Sequence, residues 1–446
     1  MLLFLGTLLA AALVSIAALG DLRLHMGTCL ALWAGAHAIY ASAAWWATRP
    51  QRRFVLKEPS PARGEHPGAG RAALWIVIGV AIVMRLAFLW TEPTLSEDVF
   101  RYVWDGRLVA HGVNPYLHAP ADPALAPYHD ALLRRLNHFD VPTIYPPAAQ
   151  LLFGAIASVN PSERAFRIAM IPLEAALWMA LLFLLRRRGL AAHALLLFAW
   201  NPLVVIESYG SGHLDLWMAA FLVISLALME TKRSVAAGAA FATAVMIKYT
   251  PLLLAPYLVR RRRWILLGSA LAIAVLLTLP FLGAGPMLGA GLATYLRHWE
   301  FNGGLYKILR ALGTTDPATR TALALALAAA SLWISLRART APGAAIALFT
   351  AYLFASPTLF PWYLVPVAAL LPLYPNAALI AFSGLVALSY WPLPAYHATG
   401  RWILPDWILC VEYGGLLLTA AAAWWIGRRP AAQARRAAWA TESSPT

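Results

Sequence analysis

Long apolar runs alternate with short polar stretches along this chain, and the polar stretches carry most of its charge. A run of about 20 apolar residues is long enough to cross a bilayer as a helix. The pattern predicts helices over roughly 2–19, 24–46 and 72–90, then 168–185, 190–206, 264–282, 319–336, 377–392 and 407–426. Shorter helices are predicted over 343–355 and from Leu364. Two runs break the alternation of inward and outward crossings. The run 146–159 is too short for a full crossing and is expected as a half-embedded helix. The run 234–259 lies between two basic clusters and is interrupted by Lys248 and Pro251. Broken helices are tolerated at membrane depth where they line a cavity. Uninterrupted runs such as 74–84 exclude the alternating pattern of a barrel. The expected fold is an all-α polytopic transmembrane bundle of about eleven to thirteen helices, half-embedded ones included. No internal repeat points to transporter symmetry.

Composition sharpens this picture. Of 446 residues, 61% are hydrophobic and 12% charged, against roughly 45–50% and about 25% in soluble domains. The net charge of +15 would suggest nucleic acid in a soluble protein. Here the cations cluster at the ends of apolar runs, which is the signature of membrane topology, and no nucleic acid is expected. Residues 49–71 hold six cations against Glu58 and Glu65 and are rich in Pro and Gly. They are expected as a cytoplasmic linker after an N-terminal helix pair, 1–48, and before the main bundle, 72–426. Residues 427–446 are expected as a cytoplasmic basic tail. The segment 91–145 then falls outside, with seven acids against four arginines. Residues 207–213 are also expected as an external loop. The N-terminus lacks a basic leader and a cleavage site, so a retained first helix is expected. Cys29 and Cys410 read as small core residues, with no disulfide or metal motif.

The external segment carries the candidate chemistry. In "SEDVFRYVWDGR", Ser96 suits a helix N-cap, and Glu97 and Asp98 suit the positive end of the helix dipole. Asp98, Arg101 or Tyr102, and Asp105 then share a helical face. Arg101 can pair with Glu97 or Asp98, so local structure accounts for part of the pattern. Charged groups beside an apolar leaflet are nonetheless functional as a rule, and a carboxylate there suits a general base for an acceptor hydroxyl. Gly112 reads as a helix stop, and Tyr145 as an interfacial anchor or a substrate contact. His213 and Asp215 in "GHLDL" are too few for a metal site and suit a second acidic wall. Lys248, in its broken helix, either snorkels or meets a phosphate. The stretch holding His298 reads as an interfacial helix, and Arg401 as a lone external cation that could clamp a phosphate. Acids on one side and cations near lipid on the other suggest a lipid-phosphate substrate.

Six stretches occur in an order that resembles the GT-C-type integral membrane glycosyltransferases. They are "SEDVFRYVWDGRLVAHGVNPYLHAPADP", "LNHFDVPTIYPPAAQ", "WNPLVVIESYGSGHLDL", "IKYTPLLLAPYL", "LRHWEFNGGLY" and "SPTLFPWYL". The likeness spans residues 85 to 410 and is greatest to bacterial polyprenol-phosphate-mannose-dependent mannosyltransferases. It implies a GT-C bundle in the bacterial cytoplasmic membrane, with its active site on the extracytoplasmic face. It implies a polyprenyl-monophosphate sugar donor, mannose being the family expectation, and a glycan or glycolipid acceptor. Transfer would invert the anomeric centre, and no metal or cofactor is called for. The resemblance carries the catalytic carboxylate onto Glu97–Asp98, with Asp98 favoured as base. It gives Asp215 as the second external acid, and Lys248 and Arg401 as phosphate contacts. Arg101, Tyr102, Asp105, Tyr145, His213 and His298 complete the candidate substrate-binding set. Two other readings use the same residues: a transporter or flippase of a lipid-linked sugar, and a structural subunit of an envelope-polymer complex.

Overall fold

The computed structural model describes residues 1–48 and 67–442. Most of the 49–71 linker and the end of the 427–446 tail thus lie outside the described residues. Apart from isolated bridges joining Phe301 and Asn302 to Thr358, every regular element among the described residues is helical. Among the described residues, six helices are long and apolar enough to cross a membrane: Gly70–Leu89, Glu163–Arg187, Trp264–His298, Asp316–Arg337, Ala377–Thr399 and Asp406–Ile426. The pair Pro202–Gly210 and Asp215–Glu230 is bent by 119° and has the length and composition of a broken span or a re-entrant loop. Shorter apolar helices include Leu2–Ala18, Pro147–Ala157, Ser234–Ile247 and Ala341–Ala355. The molecule is a polytopic helical bundle. Cys410, expected in the core, is exposed on the helix Asp406–Glu442, whereas Cys29 is buried.

The two irregular runs have physical causes. Pro146 and Pro147 start Pro147–Ala157, which lasts 11 residues. That is about 16 Å, half of a hydrocarbon core. The helix packs against Asp98–Ala110 through two glycines. A Cβ on Gly106 would fall 2.5 Å from the Phe153 carbonyl oxygen, and one on Gly154 would fall 2.5 Å from Val109 Cγ1. Only bare backbone allows so close a crossing. The run 234–259 breaks at Lys248, whose backbone is extended (φ −154°, ψ 128°). The 3₁₀ turn Thr250–Leu254 and the helix Ala255–Arg260 follow.

The run 190–206 departs from expectation. It is a chain of short turns, Ala192–Leu195, Leu196–Ala199 and Pro202–Val205, ending in the π-helical turn Ile206–Gly210. Every residue from His193 to Ala220 is buried, so 207–213 is a packed segment and not a solvent-exposed loop. Pro202 lacks the amide that would continue the helix, and the Asn201 side chain caps the next turn through the Leu203 amide. Buried charge holds the unwound segment. Arg85 donates to both oxygens of Glu174 at 2.7 and 2.6 Å, and to the Ala199 carbonyl at 2.8 Å. The Tyr209 hydroxyl donates to Glu174 at 2.6 Å, and Arg167 donates to the Phe88 and Tyr209 carbonyls. An intramembrane pair of this kind is tolerated because each charge is fully partnered.

Candidate active site

The helix Asp98–Ala110 begins where the chain leaves Gly70–Leu89. Glu97 occupies the cap position, and the Asp98 amide donates to Ser96 Oγ at 3.2 Å. Helical spacing brings Arg101 to Asp105 at 2.8 Å, with Arg101 also donating to the Val141 carbonyl at 3.0 Å. Gln150 donates to the second Asp105 oxygen at 3.0 Å. This buried clasp ties the first helical turns to the loop that follows. The helix ends at Ala110, and Gly112 takes the left-handed turn (φ 73°) that stops it.

Asp98 opens onto a cavity of about 1070 Å³. Glu97, Arg101, Tyr102, Tyr145, Asp215, Lys248 and His298 line the same space. Asp105 and His213 are buried at 1% exposure and do not line it. Arg401 is exposed after the Gly400 turn and does not line it either. The expected direct substrate contact therefore has no cavity surface at these three positions. Asp105 is spent on Arg101 and Gln150, and His213 is sealed behind Asp98.

The cavity has a polar part and an apolar part. In the polar part, Asn137 donates to Asp98 Oδ1 at 3.3 Å, and 22% of the Asp98 side chain remains exposed. Burial pushes the Asp98 carboxyl up to about 6; the Asn137 hydrogen bond opposes the rise and neighbouring Glu97 adds to it. Lys248 donates to Asp215 Oδ1 at 2.7 Å and lies 3.9 Å from the centre of the Tyr363 ring. The Tyr363 hydroxyl is bonded to that of Tyr295 at 2.6 Å. His138, also on the cavity, takes a left-handed backbone (φ 47°) and meets Trp299 edge to face at 4.3 Å. Burial holds the His138 imidazole below its usual range. In the apolar part stand Leu252, Leu253, Pro256, Leu292, Leu296 and Leu327. Leu252 and Leu296 are 53% and 60% exposed, so this wall reaches the outside of the bundle.

A row of stacked rings closes one side. His213 lies on Trp362 at 3.6 Å, Trp362 on Phe360 at 4.4 Å, and Phe360 on Phe301 at 4.1 Å. Asn137, Trp299 and Tyr363 line the cavity without having been singled out as site residues from the sequence. Their stretches carry the resemblance, "LNHFDVP", "LRHWE" and "FPWYL", and that was the available signal. The arrangement suits group transfer: a poised carboxyl, a paired ammonium across the polar end, and an apolar wall for a lipid.

Comparison with known proteins gives the family. Residues 3–263 match the family described as alpha-(1->6)-mannopyranosyltransferase, N-terminal domain. The alpha-(1->6)-mannopyranosyltransferase A of Mycobacterium tuberculosis is 25% identical over 390 residues, covering 76% of this chain and 73% of that protein. The protein of the same name from Corynebacterium glutamicum is 26% identical over 200 residues, covering 43% of this chain and 40% of its own length. The family match takes in more than half of the residues, Glu97, Asp98 and Asp215 among them, and the chain belongs to the alpha-(1->6)-mannopyranosyltransferase family, as a multi-pass membrane glycosyltransferase.

Proposed function

We propose that this protein moves mannose from a polyprenyl-monophosphate donor to a hydroxyl of a glycan or glycolipid acceptor, on the extracytoplasmic side of the bacterial cytoplasmic membrane. Asp98 is the general base. The acceptor oxygen attacks C1 of the donor sugar, its proton goes to Asp98, and the bond from C1 to the phosphate oxygen breaks with its electron pair leaving on phosphate. Such a displacement inverts C1, so an α-linked product requires a β-linked donor. Lys248 lies at the polar end, where it would meet the leaving phosphate, with Asp215 fixing the ammonium. Glu97 stands beside Asp98 and raises its proton affinity. Tyr102, Tyr145 and His298 offer ring and imidazole surface to the sugars. Arg101 holds the helix through Asp105.

The observation that carries this reading is that Asp98 and Lys248 share one cavity whose other wall is apolar and reaches the bundle surface. That combination suits a charged head on a hydrocarbon tail. The test is a reaction of purified protein with polyprenyl-phosphate mannose and an oligomannoside acceptor. The expected result is one polyprenyl phosphate released for each mannose transferred. Transfer from a nucleotide-linked sugar but not from the lipid monophosphate would sink the donor assignment. Impermeant-reagent labelling of cysteines placed in 114–140 from the cytoplasmic side alone would reverse the face.

A further inference from the structure

Next to Asp98, and out of reach of the cavity, His213 is enclosed with each ring nitrogen facing an acid. Nδ1 lies 3.7 Å from Asp98 Oδ2, and Nε2 lies 3.5 Å from Glu207 Oε2. Neither nitrogen has a hydrogen-bond partner among the described residues. Glu207 is fully buried and accepts the Tyr390 hydroxyl across both oxygens, at 2.9 and 3.0 Å. The flat contact with Trp362, 3.6 Å between centres at 14°, confines the imidazole to one plane. A buried ring with two idle nitrogens is costly, and the gaps exceed a good hydrogen bond by roughly 0.5 Å at Nε2 and roughly 0.7 Å at Nδ1. The three groups therefore form one axis: carboxyl, imidazole, carboxyl. Two contacts on that axis require two protons; with Asp98 ionised as the base, one sits on Nδ1 and the other on Nε2 or on Glu207.

We infer that His213 and Glu207 are positioning residues for Asp98. Glu207, held by Tyr390, sets the imidazole through Nε2, and Nδ1 in turn fixes Asp98 through Oδ2. Asn137 fixes the other oxygen. The base is thus gripped at both oxygens, and its remaining lone pairs face the cavity. The logic is that of a base oriented by a third group, here with a carboxyl as the base. The proton taken from the acceptor rests on Asp98, and the two protons of the axis stay where they are.

The inference rests on Asp98 being the base, and the experiment separates the two. Steady-state transfer from polyprenyl-phosphate mannose is compared for the wild type, Asp98→Asn, Glu207→Leu, Glu207→Gln and His213→Asn. Glu207→Leu keeps the bulk but not the polar contact. Its kcat should fall about 10- to 100-fold with donor KM within about 2-fold, the range seen when an outer partner of a reacting group is lost. Glu207→Gln, whose amide can donate to Nε2, should recover kcat to within about 3-fold of wild type. His213→Asn should lose kcat as Glu207→Leu does, and it carries the test if Glu207→Leu fails to fold. Wild-type kcat in both Glu207→Leu and His213→Asn, with Asp98→Asn inactive, overturns the inference alone. So does a Glu207→Gln variant no better than Glu207→Leu, because restoring a hydrogen-bond partner at Nε2 then does nothing for the base. An active Asp98→Asn overturns the base assignment and this inference with it.

Discussion

Replacing Asp98 by Asn should make the protein more stable and almost inactive, and the two effects should respond differently to pH. The buried carboxyl has its proton affinity raised from the ordinary 3.8 to about 6. Its charged form is therefore disfavoured in the folded state. The sign follows: the group costs nothing below pH 3.8, where it is protonated in both states, and its full cost is present above pH 6. The gap corresponds to at most about 3 kcal/mol, less a share because 22% of the side chain still meets the cavity. The Asn amide has the same shape and can still accept from Asn137, so it removes this cost without leaving a hole. Loss of a general base should lower kcat about 10²- to 10⁴-fold. The assay pairs initial transfer rates with thermal unfolding in detergent at pH 8 and pH 4.5. The variant should melt higher than wild type at pH 8, and the gap should shrink at pH 4.5. A variant that melts lower at pH 8, or a gap that ignores pH, refutes the claim that Asp98 is held as a strained, poised base. Wild-type rates in the variant refute its catalytic role.

Wild-type kcat/KM should fall as pH drops through about 6, where Asp98 gains its proton under the influence of Glu97, Asp215 and Lys248, and should level above it; a profile flat between pH 5 and 8 contradicts this. Lys248→Met should lower kcat/KM for the donor about 10- to 100-fold, the worth of one charge-assisted contact. Equal binding of polyprenyl phosphate to variant and wild type would show that the ammonium does not meet the donor. Gly106→Ala should cost about 1–3 kcal/mol, because its Cβ would fall 2.5 Å from the Phe153 carbonyl. An unchanged thermal midpoint would show that the two helices part freely.

How much of this was legible in the sequence follows from how local each cause is. The break at Lys248 and the half-length helix Pro147–Ala157 are written in neighbouring residues, Pro251 in one case and Pro146–Pro147 in the other. The sequence offers Glu97 or Asp98 as the partner of Arg101; the structure gives Asp105 instead, one turn further on at i+4 spacing. The burial of 207–213 was not readable. "ESYGSGHLD" has loop composition, and what buries it comes from afar: Tyr390 on Glu207, Trp362 on His213, Arg167 on the Tyr209 carbonyl. Glu207 was passed over for the same reason, since its partner lies at the other end of the chain. Arg401 illustrates the converse. A lone external cation fits a phosphate clamp by type, yet the Gly400 turn leaves it outside the cavity.

The grip on Asp98 and the walls around it draw on residues from the first loop, the unwound middle and the last third of the chain. No fragment released early from the ribosome possesses the site. The cavity is complete only once the last third of the chain has packed, because Trp299, Trp362 and Tyr363 line it.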